Sequence, residues 1–213
     1  MEIRAWARCA RKRGYAGRRM ASDAMAIRAG LMQDMVACLR TWPGDGGERV
    51  LATVGSHAVG QIESVLRLAW LPGQLNVDFV AAIAETFGRE DGCSFFAELY
   101  AKTWDSRLFR SMVTAGIRLA GSDPGFLLKL IPRGSPFIFR GFGTWKFHSR
   151  EPDQVRLDYV DIPDILFANG GAWLHFAAAS QRSIISLAGR TGSIEVESSA
   201  LSERRARFLY RWQ

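Results

Sequence analysis

Cysteine, histidine and lysine are scarce in this sequence, and each scarcity removes a class of function. Cys9, Cys38 and Cys93 stand far apart with no CxxC pair, which excludes a disulfide framework and a thiolate metal site and predicts a reducing, cytoplasmic setting. His57, His148 and His175 are the only histidines, and none has a second histidine or a cysteine at ligand spacing, so no zinc motif can be written. No apolar run reaches the roughly 18 residues of a transmembrane helix, and the N-terminus lacks the apolar core of about 7–15 residues that a secretory signal requires. Neither GxxxxGK[ST] nor GxSxG occurs. Gly141-Phe142-Gly143 lacks the third glycine and the strand-to-helix setting of a dinucleotide loop, so a bulge is expected there, and a helix-entry turn at Gly170-Gly171.

Basic charge is present, but unevenly. Arg4, Arg8, Arg11, Lys12, Arg13, Arg18 and Arg19 against Glu2 give residues 1–20 a balance of +6, out of a formal +7 for all 213 residues. The remainder is nearly neutral. A basic footprint spread over a folded surface would point to phosphate contacts. A basic arm on a neutral body reads instead as a flexible, solubilising leader, as the product of an upstream start with Met20, Met25, Met32 or Met35 as internal starts, or as an adaptor for nucleic acid or an anionic surface through Arg11, Lys12, Arg13, Arg18 and Arg19. Lys12, Lys102, Lys129 and Lys146 are the only lysines among 28 basic residues, a bias of GC-rich bacterial genomes.

Residues 22–213 are read as one α+β domain behind an arm of residues 1–21. Met25, Ile27, Leu31, Met35 and Leu39 are loosely helical, with Ser22 and Asp23 placed to cap; Trp42-Pro43 and Gly44-Asp45-Gly46-Gly47 end the segment and read as a linker. A helix opening at Ser56 carries Ala58, Ile62, Val65, Leu66 and Ala69 to a stop at Pro72-Gly73. A second, from Asn76 or Asp78 to Gly88, would complete a helical hairpin with it. Ser94 is placed to cap a helix to Trp104, Asp105-Ser106 restarts the pattern to Gly121, and Asp123-Pro124 opens a turn running to Pro132. The helical part thus spans 22–132.

From Pro136 the period changes. Phe137, Phe139, Trp145 and Phe147 alternate around a bulge at Gly141 or Gly143; Val155, Leu157 and Tyr159 alternate next; Ile194 and Val196, then Phe208, Tyr210 and Trp212, do so near the end. Between the two pairs runs a helix over 171–188 with Trp173, Phe176, Ala177, Ser180, Ile184 and Leu187 on one face. The spacing predicts a helical N-terminal layer packed on a four-stranded antiparallel sheet with one crossing helix.

Phe142, Trp145, Tyr159, Trp173, Phe176 and Tyr210 can line an apolar ligand cavity between that helix and the sheet, with an ordinary packed aromatic core as the alternative. On the opposite face Glu195 and Glu197 face Arg207 and Arg211 at cross-strand spacing. Asp158, Asp161 and Asp164 recur every three residues, as carboxylates for acid–base work or a hard cation do, but Pro163 and the strand end give them structural uses. His148 with Asp158 or Asp161 is the one dispersed catalytic arrangement the sequence offers. A lone histidine can also ligate haem, but no CxxCH accompanies it. No cofactor is therefore expected, haem being the alternative.

The stretch from Leu108 through Pro132, Asp161-Ile162-Pro163, Leu187-Ala188-Gly189 and the closing Phe208-Leu209-Tyr210-Arg211-Trp212 together resemble a myxobacterial family of proteins of about this chain's length. That family is in turn similar to the 4-vinyl-reductase-type and haem-nitric-oxide-binding sensor domains. The resemblance implies a ligand held between helices and a small antiparallel sheet, and a regulatory role. The Tyr-x-Ser-x-Arg propionate signature of the nitric-oxide sensors is absent, and so is the cysteine cluster of some vinyl-reductase-type domains, so neither haem nor a metal carries over. The leading expectation is a non-catalytic module that recognises a small apolar ligand or a protein partner, alone or as a homo-oligomer.

Overall fold

The computed structural model describes residues 25–104 and 123–213. The basic arm, the cap at Ser22-Asp23 and the helix expected between Asp105 and Gly121 lie outside the described residues.

The chain enters through β1 (Ala26–Arg28) and passes directly into α1 (Ala29–Arg40). This opening belongs to the core: Ile27, Met32, Met35, Val36 and Leu39 are all fully or almost fully buried. The linker expected at Gly44–Gly47 is corrected too. Gly46 and Gly47 form the first turn of α2 (Gly46–Val54), and a Cβ on Gly47 would stand 1.9 Å from the Leu39 carbonyl oxygen. Glycine here allows two helices to touch backbone to backbone, a packing use that a linker reading overlooks.

Helix α3 (Ser56–Glu63) ends earlier than its apolar stripe suggested, and it packs on α1 and α2. The expected hairpin is replaced by a three-residue strand, β2 (Trp70–Pro72), followed at once by α4 (Gly73–Trp104). Helix α4 is broken at Gly88, whose φ of 73° and ψ of −167° are open to glycine at little cost, as expected for the end of its first half. Its second half resumes without the expected loop. Ser94 lies inside it, its Oγ donating to the Glu90 carbonyl, and a Cβ on Gly92 would stand 2.5 Å from the Phe176 ring. The predicted cap at Asp123 is present: its carboxylate accepts from Gly125 N at 2.9 Å at the start of α5 (Pro124–Leu128). The short α6 (Ile131–Gly134) follows.

Four strands form the sheet that the alternation predicted: β4 (Thr144–Glu151), β5 (Gln154–Val160), β6 (Gly192–Ala200) and β7 (Arg205–Trp212), in the antiparallel order β4-β5-β7-β6. Phe137 and Phe139, expected to open its first strand, do not belong to it. Phe137 closes a 3-10 turn, and Phe139–Arg140 is β3 of a second, three-stranded sheet ordered β2-β1-β3. Between the β-hairpins runs α7 (Ala168–Leu187), entered through three consecutive left-handed residues, Asn169, Gly170 and Gly171. It packs against α4 on one side and against β6 and β7 on the other. The layers are therefore sheet, α7, then α4 with the N-terminal helices, an α+β arrangement with one crossing helix.

Candidate functional site: the aromatic interface and the two faces of the large sheet

The inner face of the four-stranded sheet is a chain of touching rings. Tyr159 on β5 stacks on its cross-strand partner Trp145 at 4.3 Å between centroids, and Trp145 meets Phe208 of β7 at 4.8 Å. On its other side Tyr159 stacks on Trp173 of α7 at 5.7 Å. Trp173 also meets Phe142 at 5.8 Å and Phe139 at 6.2 Å, which joins the large sheet to the small one. One helical turn on, Phe176 stacks on Phe96 of α4 at 4.8 Å, over Gly92. Such offset and edge-on pairs each add a fraction of a kcal/mol to about 1.5 kcal/mol beyond the area they bury.

The polar atoms of these rings are satisfied locally. Tyr159 Oη donates to the Phe142 carbonyl at 2.9 Å, and Trp173 Nε1 donates to Asn76 Oδ1 at 3.0 Å. The Asn76 amide in turn points at Met32 Sδ at 3.8 Å. Tyr210 Oη donates to Gln181 Oε1. Burial pushes the phenols of Tyr159, Tyr210 and Tyr100 well above their ordinary value, so all three are neutral at any physiological pH.

The structure thus brings five of the six predicted residues, Phe142, Trp145, Tyr159, Trp173 and Tyr210, to the sheet side of this interface and puts Phe176 on the α4 side. All six are buried. Phe142, Trp173, Tyr159 and Trp145 form one run of ring contacts, whereas Phe176 stacks on Phe96 and Tyr210 is tied to α7 through Gln181. Asn76 was missed. In the sequence it reads as a helix cap, whereas it lies within the first turns of α4 and is a buried amide between an indole and a thioether.

The outer face of the same sheet is ionic. Asp158, almost fully buried, is held by Arg207 Nε at 2.9 Å, Arg205 Nη2 at 3.1 Å and His148 Nδ1 at 3.2 Å. Burial pushes its carboxyl up, but the hydrogen bond from Arg207 and the charges of Arg207, Arg205 and His148 outweigh that and hold it below the usual range. Arg211 pairs with Glu195 at 3.2 Å as the spacing predicts, whereas Arg207 turns to Asp158 and Glu197 is met by Arg156 at 3.5 Å. His148 lies in the bulge between Phe147 and Ser149 and meets Asp158 on this outer face. Asp161 and Asp164 do not join them: Asp161 sits at φ 56° after β5, and Asp164 lies 3.6 Å from Arg204 Nε. Among the described residues no group of three His, Cys, Asp or Glu side chains is placed to hold a metal ion.

The described open cleft of about 440 Å³ lies away from the rings, between Asp123, Pro124, Arg150, Pro152, Arg190 and Trp212. Arg150 is paired with Asp123 across it.

Neither a protein-family model nor a curated protein sequence matches the chain. Solved structures do match. The chain is similar to an unliganded Fe(II) H-NOX protein from K. algicida, with a TM-score of 0.61 at 7% identity over 88% of this chain and 97% of that one. An H-NOX protein from S. oneidensis in the Fe(II)NO state gives 0.59 at 10% identity over 88% and 99%, and an oxygen-binding H-NOX domain related to soluble guanylate cyclases gives 0.56 at 14% identity over 88% and 95%. The fold is H-NOX-like. At these identities the likeness fixes architecture alone, and it agrees with the sensor-domain architecture that the sequence resemblance implied.

Two of these H-NOX structures are described as Fe(II) proteins, so the present residues can be tested against haem. All three histidines of the chain are described, and each is engaged at the surface or along a helix edge. His57 is exposed in the first turn of α3, His148 is bound to Asp158 on the outer sheet face, and His175 Nδ1 lies 3.2 Å from Arg89 Nη2. Burial and then the Arg89 charge hold His175 below its ordinary value, favouring neutral imidazole, but its ring is turned to the Arg89 guanidinium. Burial raises the Cys38 and Cys93 thiols, the opposite of what a thiolate ligand needs. Among the described residues, no histidine or cysteine is placed to hold haem.

Proposed function

We propose that the chain is a non-catalytic regulatory module that uses an H-NOX-like scaffold without haem and recognises its partner at the surface. The observation that carries this reading is the placement of the three histidines, none of which faces the helix–sheet interior where the rings meet. The ring chain from Trp145 through Tyr159 and Trp173, continued to α4 by the Trp173–Asn76 bond, ties the sheet to the helical layer as one body. In such a body a contact made on one layer is felt by the other, because packed interiors transmit displacement rather than absorb it. Recognition then falls to protruding groups, and a protein partner is favoured over a small apolar ligand lodged among Phe142, Trp145, Tyr159, Trp173, Phe176 and Tyr210.

The enzymatic alternative rests on His148 and Asp158. Their 3.2 Å contact orients the imidazole as a base would need. Two arginines already consume the same carboxylate, however, and no described hydroxyl or thiol is hydrogen-bonded to His148. That arrangement is better suited to tying two arginines and an imidazole together on a sheet face than to relaying a proton.

Thermal unfolding of the purified chain with and without excess hemin, under nitric oxide and under argon, tests the proposal, since any ligand preferring the native state raises the midpoint. Unchanged midpoints are expected. A rise with hemin that a His57→Ala, His148→Ala or His175→Ala change abolishes would overturn the haem-free reading.

A further inference from the structure

The small sheet carries an exposed cationic–aromatic face that the proposed function does not use. On β1 and β3 the Arg28 and Arg140 guanidinium carbons each stand 3.9 Å from the centroid of the Trp70 ring on β2. Guanidinium over an indole is a favourable arrangement, and Ala26, paired with both Pro72 and Arg140, leaves room for long side chains to cross the middle strand. Neither arginine has a carboxylate partner among the described residues; Arg28 is spent on carbonyls, donating to Phe137 O at 2.9 Å and to Leu68 O. Nor can their immediate chain segments supply one: residues 25–33, 64–77 and 124–150 contain no Asp or Glu. Two like charges are thus gathered on one ring with no described carboxylate beside them.

In the adjoining loop and 3-10 turn stand large apolar side chains that no described residue covers. Leu66 is 83% exposed, Leu68 68% and Phe137 67%. The two carbonyls that Arg28 holds bring the Leu68 and Phe137 backbones up to its head group. These side chains project from a loop and a 3-10 turn rather than lining a groove, so an inserted peptide helix has no trough to lie in. Protruding aliphatic and aromatic tips above arginines, with an indole at the same level, suit the boundary between acyl chains and headgroups. Aliphatic tips are poorly suited to nucleic acid, whose surface offers phosphates and base faces.

We propose that this face docks the protein peripherally on an anionic lipid bilayer, with Arg28 and Arg140 on headgroup phosphates, Trp70 at the interface and Leu66, Leu68 and Phe137 dipping below it. No described helix is long and apolar enough to cross a membrane, so the association is superficial. Residues 1–20, at +6, are tethered through Met25 to the very strand that bears Arg28, and they would add salt-sensitive attraction to the same surface.

Co-sedimentation of the full chain with vesicles of phosphatidylcholine alone and of phosphatidylcholine with phosphatidylserine tests this. Binding to the mixed vesicles only is expected. Arg140→Ala should weaken it about fivefold, and Leu68→Asp and Phe137→Asp about tenfold each. All three positions are exposed, and an unchanged melting temperature will show that each variant folds. Deleting residues 1–20 should weaken binding while leaving the fold-change of each surface variant intact. Variants that sediment like the parent, loss of all binding with the arm alone, equal binding to neutral vesicles, or preference for polyglutamate or single-stranded DNA over vesicles would each overturn the proposal.

Discussion

The two sheets of this protein handle charge and aromatic rings in opposite ways. The four-stranded sheet seals its rings under α7 and cancels its outer charges strand against strand, Asp158 alone satisfying Arg205, Arg207 and His148. The three-stranded sheet leaves an indole half-exposed between two guanidiniums that meet no carboxylate among the described residues. The aromatic rings of the large sheet are buried, whereas beside the small sheet Leu66, Leu68 and Phe137 stay in water.

Four substitutions can break or sharpen that contrast. Trp173→Ala strikes the closed interface hardest, removing a buried indole that touches Tyr159, Phe142 and Phe139 and leaving Asn76 without its donor. A loss of about 3–5 kcal/mol in urea unfolding is expected; a loss below about 1 kcal/mol would mean that the rings are loosely packed. Gly47→Ala follows at about 1–3 kcal/mol, because its methyl has no room against the Leu39 carbonyl.

Asp158→Asn tests whether the outer face of the large sheet is held by charge. Its cationic partners are partly exposed, so the cost at neutral pH is about 1–2 kcal/mol rather than that of a fully buried pair. The carboxyl is lowered on folding, so its contribution is fully present above the unfolded value near pH 4 and disappears as pH falls through the lower folded value. Unfolding curves of parent and variant should accordingly converge in acid. Curves that stay parallel would assign the effect to shape instead. Arg211→Ala is the smallest, under about 0.5 kcal/mol, since both Arg211 and Glu195 stand in water; thermal melts should barely separate it from the parent.

The same contrast explains what was legible in the sequence. Strands β4 to β7 are long enough to show their own alternation, and each hairpin pairs neighbours, so Val155-Leu157-Tyr159 and Phe208-Tyr210 identify a face without tertiary help. Strands β1, β2 and β3 are two or three residues each, drawn from positions 26, 70 and 139, too short for a period and joined only once the helices fold. For that reason Phe139 reads as part of the wrong sheet and Ile27 as part of a helix. Glycines misled in a related way: Gly46, Gly47 and Gly92 look like chain breaks, yet each allows a close approach that depends on a residue distant in sequence or on the neighbouring helix, such as Phe176 or Leu39. At the candidate site, residue type showed which rings gather, but not how they stack on one another. That outcome depends on ring angles and on Asn76 reaching Trp173 across 97 positions.

Titration of the purified chain with hemin, followed by its absorbance spectrum before and after nitric oxide, bears most directly on the claim that this H-NOX-like fold works without the iron of its structural counterparts. The placement of His57, His148 and His175 predicts a spectrum of free and non-specifically bound hemin, unaltered by changing any of the three. A stoichiometric Soret band that shifts with nitric oxide would contradict the account.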